Sequence, residues 1–172
     1  MEQDRETLCQ VCLLLYQRGY VVSNDGNVSV RIGEDQVLIT PSGVSKGRLT
    51  PDMLVVCDLE GRVLAGHLHP SSESAMHLLV YRERPDVGAV VHAHPPAATA
   101  FSICRRPLAQ HYLTETISGL GEVPVAPFAL PSTSQIPDSL RPYVAGCNGA
   151  LLANHGAIAW GRDLWHAFDR ME

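Results

Sequence analysis

Lysine is almost missing from this chain: Lys46 is the only one in 172 residues, and the arginines are scattered without forming a basic run. With a formal net charge of −5, the sequence offers no patch that would neutralise a phosphate backbone, which excludes nucleic acid as a partner. No apolar stretch approaches the roughly 20 residues that span a bilayer. The start, Met-Glu-Gln-Asp-Arg-Glu, lacks the positive charge and apolar core of an export signal. A protein without either is expected in the cytoplasm and away from membranes. Also absent are a G-x-G-x-x-G turn after a strand and a Walker A loop, which removes two common nucleotide cradles. The five cysteines (Cys9, Cys12, Cys57, Cys104, Cys147) are odd in number and irregular in spacing, so no disulfide framework is expected. Cys9 and Cys12 form a C-x-x-C pair, but no second pair completes a zinc site. Both lie on a helical stripe with Leu8, Val11 and Leu15, where cysteine acts as a small apolar residue.

What is present suffices for one domain. The length is that of a single core, and 45% hydrophobic residues can fill it. Periodicity predicts a helix over 4–18 and a hairpin from strands 28–32 and 36–40, then a strand pair over 53–59 and 62–65. A helix capped by Ser71 or Ser72 runs to about Arg84, followed by a buried strand over 87–92 and a helix over 97–103. Further strands are expected at 123–128, 150–152 and 157–160, with a last helix capped by Asp163. Hairpins outnumber strand–helix–strand units, which favours an α/β chain of α+β type with a largely antiparallel sheet flanked by helices. The last helix breaks off without a cap or closing loop, so a C-terminal helix and tail are expected to be missing.

The strongest chemical signal is Val90-Val91-His92-Ala93-His94-Pro95. Side chains at i and i+2 of a strand point the same way, so both imidazoles can reach one ion, and Pro95 stops the strand beneath them. His155, in Leu151-Leu152-Ala153-Asn154-His155-Gly156, also ends an apolar run, and Gly156 suits a tight turn. Three histidines with one open position are the ligand set of a catalytic zinc ion. His67 and His69 repeat the spacing, but Gly66 and Pro70 bracket them and no strand presents them. His77, His111 and His166 have no partner pattern and are read as structural or solvent-facing. Ser71-Ser72-Glu73 opens a helix, where hydroxyls and a carboxylate serve equally as a cap or as an anion site with Glu73 as general base. The turns Asp25-Gly26-Asn27 and Thr40-Pro41-Ser42-Gly43 are explained by turn chemistry, and also suit a phosphate.

Taken in order, Gly26-Asn27-Val28-Ser29, Thr40-Pro41-Ser42-Gly43, Ser71-Ser72-Glu73, His92-Ala93-His94 and His155-Gly156 resemble the motif series of the class II aldolase/adducin family. The likeness runs from the first helix to Trp160. It implies a three-layer α/β/α domain with helices on both faces of the sheet. It also implies one Zn²⁺ per subunit on His92, His94 and His155, with Co²⁺ or Mn²⁺ as substitutes and Glu73 able to join them at rest. Glu73 would be the catalytic acid/base, and Gly26, Asn27, Ser42, Gly43, Ser71 and Ser72 would hold a substrate phosphate. Tyr112, in the pair His111-Tyr112, would donate a proton at a neighbouring subunit's site within a homotetramer. The implied reaction is reversible cleavage of a ketose 1-phosphate of the L-fuculose 1-phosphate kind to dihydroxyacetone phosphate and a short aldehyde, through a metal-stabilised enediolate. No lysine Schiff base is needed. Other reactions in the family would use the same site: a pentulose-phosphate 4-epimerase (for which Glu115 is the nearby acid), a sugar-acid-phosphate decarboxylase, or a methylthioribulose-phosphate dehydratase. An adducin-like scaffold would have the fold without catalysis. Two positions depart from the pattern. Asn24 stands where a threonine often precedes Gly-Asn, and Pro131 stands where an aromatic is expected near the aldehyde.

Overall fold

The computed structural model describes residues 1–108, 114 and 119–172. Helix α1 (Glu2–Gln17) leads through a turn into β1 (Asn27–Arg31) and β2 (Gln36–Ile39). Two short 3-10 turns precede β3 (Val55–Asp58) and β4 (Val63–Ala65), and α2 (Ser74–Glu83) leads to β5 (Ala89–Ala93). Then come α3 (Pro96–Ile103), β6 (Val125–Ala126), α4 (Gln135–Val144), β7 (Gly149–Leu152), β8 (Gly156–Gly161) and α5 (Leu164–Met171). The strands form one sheet in the order β4-β3-β2-β1-β5-β8-β7-β6, antiparallel throughout except for the β6–β7 pair.

Strand alternation divides the interior into two layers. Val28 and Val30 of β1, Ala89, Val91 and Ala93 of β5, and Ala157 and Ala159 of β8 face one side. There they meet Leu8, Val11, Cys12 and Leu15 of α1 and Leu164, Ala167, Phe168 and Met171 of α5. Val90 of β5 and Ile158 and Trp160 of β8 face the other side, against Leu79 and Val80 of α2 and Ile136, Leu140 and Val144 of α4. Each fully buried aliphatic side chain contributes about 1.5–3 kcal/mol, so two filled layers hold the sheet from both faces. The fold is therefore the expected α/β/α arrangement. Cys12 is fully buried in the first layer, and all five cysteines are free thiols. Burial pushes the thiols of Cys9 and Cys12 up, away from reactive thiolates. Among the described residues no helix is long and apolar enough to cross a membrane.

Three local expectations change. Helix α4 is an addition: Pro137 lies in its first turn, where no N–H is needed, and Pro142 is exposed near the end. Ile136, Leu140 and Val144, spaced by four, give it a buried stripe. The strand expected at 123–128 shrinks to Val125–Ala126. Helix α2 starts at Ser74, with Glu73 rather than a serine at the cap position.

Polar residues interrupt the second layer at one place. Asn27 and Ser29 of β1 lie beside His92 and Val90 of β5, with Asn27 in register with His92. All three polar side chains are buried, and they face α2. The sheet centre, at the β1–β5–β8 junction, thus presents its polar groups to the start of one helix.

Candidate active site

His92 and His94 end β5, and His155 sits in the tight β7–β8 turn beside them. One ring nitrogen from each lies within 4.8 Å of the other two. Gly156 permits this, but not through the turn conformation: Asn154 carries the left-handed backbone (φ 60°). A Cβ on Gly156 would lie 2.5 Å from His94 Cδ2 and 2.7 Å from the Ala93 carbonyl oxygen, so the absent side chain is what lets the His94 ring lie against β8. Gly26 does similar work on the other flank, with φ +71° and the His92 carbonyl oxygen 2.9 Å from where its Cβ would stand.

The donor set fits a divalent ion. The ring nitrogens His92 Nε2 and His94 Nε2 are 3.2 Å apart, close to the roughly 3.3 Å that separates two nitrogens bound to a tetrahedral zinc. His92 Nδ1 lies 2.8 Å from the Ala157 carbonyl, so that nitrogen carries the proton and Nε2 presents its lone pair. Glu73 Oε2 is 3.4 Å from His92 Nε2, and Oε1 is 3.3 Å from His155 Nε2. Oε1 is buried without any hydrogen-bond partner, the kind of orphan that a cation satisfies. Burial and the neighbouring imidazoles push His94 down to about 4, and burial and His92 lower His155, so both rings are neutral and ligand-ready near pH 7. Burial works to raise the Glu73 carboxyl, whereas the His92 and His155 rings, when charged, and the Asn27 amide lower it to about 2.

A cavity of about 220 Å³ opens over this group. Gly26, Asn27, Ser42, Gly43, Ser71, Ser72, Glu73, His94 and His155 all line it, and His92 lies fully buried beneath. Asn24, Pro131 and Ser132 line it too, and Ser132 holds a left-handed backbone (φ 62°). Ser71 Oγ accepts the Glu73 N–H at 3.3 Å, which fixes the turn leading into α2 while the Glu73 carboxylate turns to the histidines. His67 and His69 lie in an exposed loop, and His111, Tyr112 and Glu115 fall outside the described residues.

Sequence reasoning missed the buried network behind Glu73. Asn27 Nδ2 donates to Glu73 Oε2 at 3.1 Å, which leaves Asn27 Oδ1 facing His77 Nε2 at 2.6 Å. An amide oxygen only accepts, so the His77 proton is on Nε2 and its Nδ1 accepts the Ser29 hydroxyl at 2.7 Å. Ser29 Oγ in turn accepts from Tyr81 Oη at 2.9 Å. Every donor points one way, from Tyr81 through Ser29, His77 and Asn27 to Glu73. A flipped Asn27 amide would set its oxygen against the carboxylate, so the chain fixes that amide with its N–H toward Glu73. The signal available in the sequence was the spacing Glu73, His77, Tyr81, which is one helix stripe at intervals of four.

This network makes stability pH-dependent. Burial pushes His77 down from 6.5 to about 3. Between those values the unfolded chain takes up a proton that the folded one refuses, so stability falls as pH drops below about 6.5. In His77→Gln the amide can still donate to Asn27 and accept from Ser29, so the variant should fold at pH 7. Denaturant titrations from pH 7 to 5 should then show a shallower loss for His77→Gln than for the wild type. Ser29→Ala, which leaves His77 Nδ1 without a donor, should cost about 1–3 kcal/mol at pH 7. Parallel pH profiles for His77→Gln and wild type would contradict the neutral, donor-ordered His77.

Comparison with known proteins agrees with the geometry. The profile of the class II aldolase and adducin N-terminal domain matches residues 6–172. The 3-oxo-tetronate 4-phosphate decarboxylase of Haemophilus influenzae is 35% identical over 176 residues, covering 98% of this chain and 81% of that protein. The L-fuculose phosphate aldolase of Methanococcus maripaludis is 34% identical over 175 residues, covering 98% and 91%. The crystal structure of YgbL from Escherichia coli superposes with a TM-score of 0.93 at 30% identity, covering 99% of this chain and 84% of that one. With a family match along nearly its whole length and enzymes on both sides of the comparison, this chain belongs to the class II aldolase/adducin family, as an enzyme of that metal-dependent group.

Proposed function

We propose that the protein is a zinc-dependent lyase that breaks the carbon–carbon bond beside the carbonyl of a phosphorylated sugar derivative, leaving the enediolate of dihydroxyacetone phosphate. The observation that carries this is the Glu73 carboxylate, lining the cavity beside the His92 and His155 rings with Oε1 unpartnered. His92, His94 and His155 would hold the ion, and Glu73 would join them at rest. The all-imidazole set, with His92 Nε2 and His94 Nε2 3.2 Å apart, suits zinc and also admits Co²⁺ or Mn²⁺. The bound ion supplies a Lewis acid that offsets the charge developing on the substrate oxygens.

The chain's own residues do the rest. Ser42, Gly43, Ser71 and Ser72, with the Gly26–Asn27 turn, hold the phosphate and so fix the carbonyl end over the histidines. As the carbon–carbon bond breaks, its electron pair stays on the three-carbon fragment, and Glu73 relays a proton taken from water to the carbon that has lost its partner. In the synthetic direction the Glu73 carboxylate removes that proton. Tyr112 from a neighbouring subunit of a homotetramer would serve the aldehyde oxygen.

Two fragments would leave the same enediolate. One is a short aldehyde from a ketose 1-phosphate of the L-fuculose kind, supported by the Methanococcus relative. The other is carbon dioxide from a 3-oxo sugar acid 4-phosphate, supported by the Haemophilus relative. Pro131 on the cavity wall, in place of an aromatic, offers no ring against which the methyl of a lactaldehyde fragment would pack, which supports the carbon dioxide reading.

The shared step is tested first. Zinc-loaded protein should exchange one C3 hydrogen of dihydroxyacetone phosphate for deuterium in D₂O, stereospecifically and with loss of exchange on chelation. Absence of exchange in metal-replete protein would overturn the enediolate reading. Condensation with lactaldehyde would then select the aldolase, and release of carbon dioxide from 3-oxo-tetronate 4-phosphate the decarboxylase.

A further inference from the structure

The single lysine is inside the cavity wall. Lys46 opens the 3-10 turn Lys46–Arg48, is 2% exposed, and lines the same space as Ser42, Gly43, Ser72 and Glu73. Its position is built rather than incidental. Gly47, next in the chain, lies so close to the Tyr16 ring that a Cβ would stand 2.6 Å from it, which seats the turn directly on α1. The Lys46 Nζ donates to the carbonyl oxygens of Asn24 at 2.7 Å and Val44 at 2.9 Å. Those carbonyls belong to the two glycine turns, around Gly26 and Gly43, that face the cavity from different parts of the chain.

An ammonium has three N–H bonds, and these contacts use two. Among the described residues Lys46 has no third acceptor and no carboxylate within ion-pair distance. Asp25 and Glu73 act on it only through space, while burial lowers its pKa. A buried ammonium without a counter-ion is unfavourable, unless the site normally contains an anion. The remaining cavity donors are neutral. The Ser42 and Ser72 hydroxyls and the Gly43 N–H have no protein acceptor among the described residues, and Lys46 is the only Lys or Arg side chain in the lining.

We propose that Lys46 is the charge partner of the substrate's phosphate: two of its N–H bonds tie the glycine turns into one cradle, and the third meets the dianion. This rests on the phosphorylated substrate inferred above. It adds a residue to that site and assigns the specificity for a doubly charged group to one side chain.

Inorganic phosphate is the probe, because its binding needs no turnover. In zinc-loaded full-length protein labelled with ¹³C-lysine, the single lysine gives one ε-methylene resonance. That resonance should shift on titration with phosphate and saturate with the affinity found by calorimetry. Lys46→Gln keeps two N–H donors for the Asn24 and Val44 carbonyls but removes the charge. It should keep wild-type zinc content and lose roughly tenfold or more in phosphate affinity, with a flatter salt dependence. Lys46→Met should lose at least as much. An unmoved lysine resonance at saturating phosphate, or wild-type affinity in Lys46→Gln, would overturn the proposal. So would retention in Lys46→Gln with loss only in Lys46→Met, which would leave Lys46 as a tether alone. If phosphate binds as described and dihydroxyacetone phosphate exchanges no hydrogen, the enediolate reading fails and the anion site stands.

Discussion

Glu73→Gln, saturated with zinc, is expected to lose deuterium exchange into dihydroxyacetone phosphate by about 10²–10⁴-fold. Glu73 lies 3.4 Å from His92 Nε2 and 3.3 Å from His155 Nε2, nearer than Asp25 lies to His94 Nδ1 (3.7 Å), and its Oε1 has no hydrogen-bond partner among the described residues. The network behind it dictates how the glutamine must sit. Asn27 offers an N–H, so the new amide turns its oxygen to Asn27 and its NH₂ toward His155. The variant therefore has a donor where the acid/base was, aimed at a ring nitrogen. Zinc affinity should weaken, but by less than turnover, and atomic absorption on protein equilibrated with excess zinc separates the two. Exchange at the wild-type rate in a variant with full zinc would remove Glu73 from proton transfer.

Gly156→Ala is expected to abolish tight metal binding although every ligand residue is unchanged. The added methyl would meet His94 Cδ2 at 2.5 Å and the Ala93 carbonyl at 2.7 Å. The carbonyl belongs to the central strand β5, paired on both sides, so the imidazole gives way. His94 Nε2 then leaves its place 3.2 Å from His92 Nε2, and the cluster loses one of three donors. Zinc affinity should fall roughly 100-fold or more, read by competition with a chromogenic chelator. Gly43→Ala is the matched control. Its Cβ meets nothing within 4 Å, so only the positive φ of 75° penalises it, and zinc affinity should hold. Equal effects in the two variants would show that glycine flexibility, rather than close approach, matters at 156.

The sequence made one part of the site legible because local geometry determines it. His92 and His94 share a face by strand alternation, and an apolar run ending at Pro95 puts them at a strand mouth. The phosphate turns and Glu73 were legible only as an ordered series of motifs, since each alone is ordinary turn or cap chemistry. His77 was opaque for a physical reason: its partners Ser29 and Asn27 are 48 and 50 residues away, and nothing short-range marks the pairing. Nothing in the local sequence marks Lys46 as buried; the close approach of Gly47 to Tyr16, 31 residues away in the chain, is what seats its turn on α1. Helix α4 was not read from the sequence, although Ile136, Leu140 and Val144 form a stripe at intervals of four, and the first-turn place of Pro137 and the exposure of Pro142 make its prolines compatible with a helix. The three-layer fold was recoverable because each strand's alternation already separates Val28, Val91 and Ala159 from Ser29, His92 and Trp160.

The single direction of donation from Tyr81 to Glu73 also limits how the molecule can evolve. No member of the series can be exchanged for a residue of different hydrogen-bonding sense without stranding its neighbour in a buried layer. Ser29, His77, Asn27 and Tyr81 are therefore constrained together: a single exchange is tolerated only where it keeps the sense of donation, as glutamine at 77 would. The cavity side is freer. Pro131 and Ser132 face the space where the departing fragment would lie and take no part in the series, so the identity of that fragment can drift while the proton-handling apparatus stays the same.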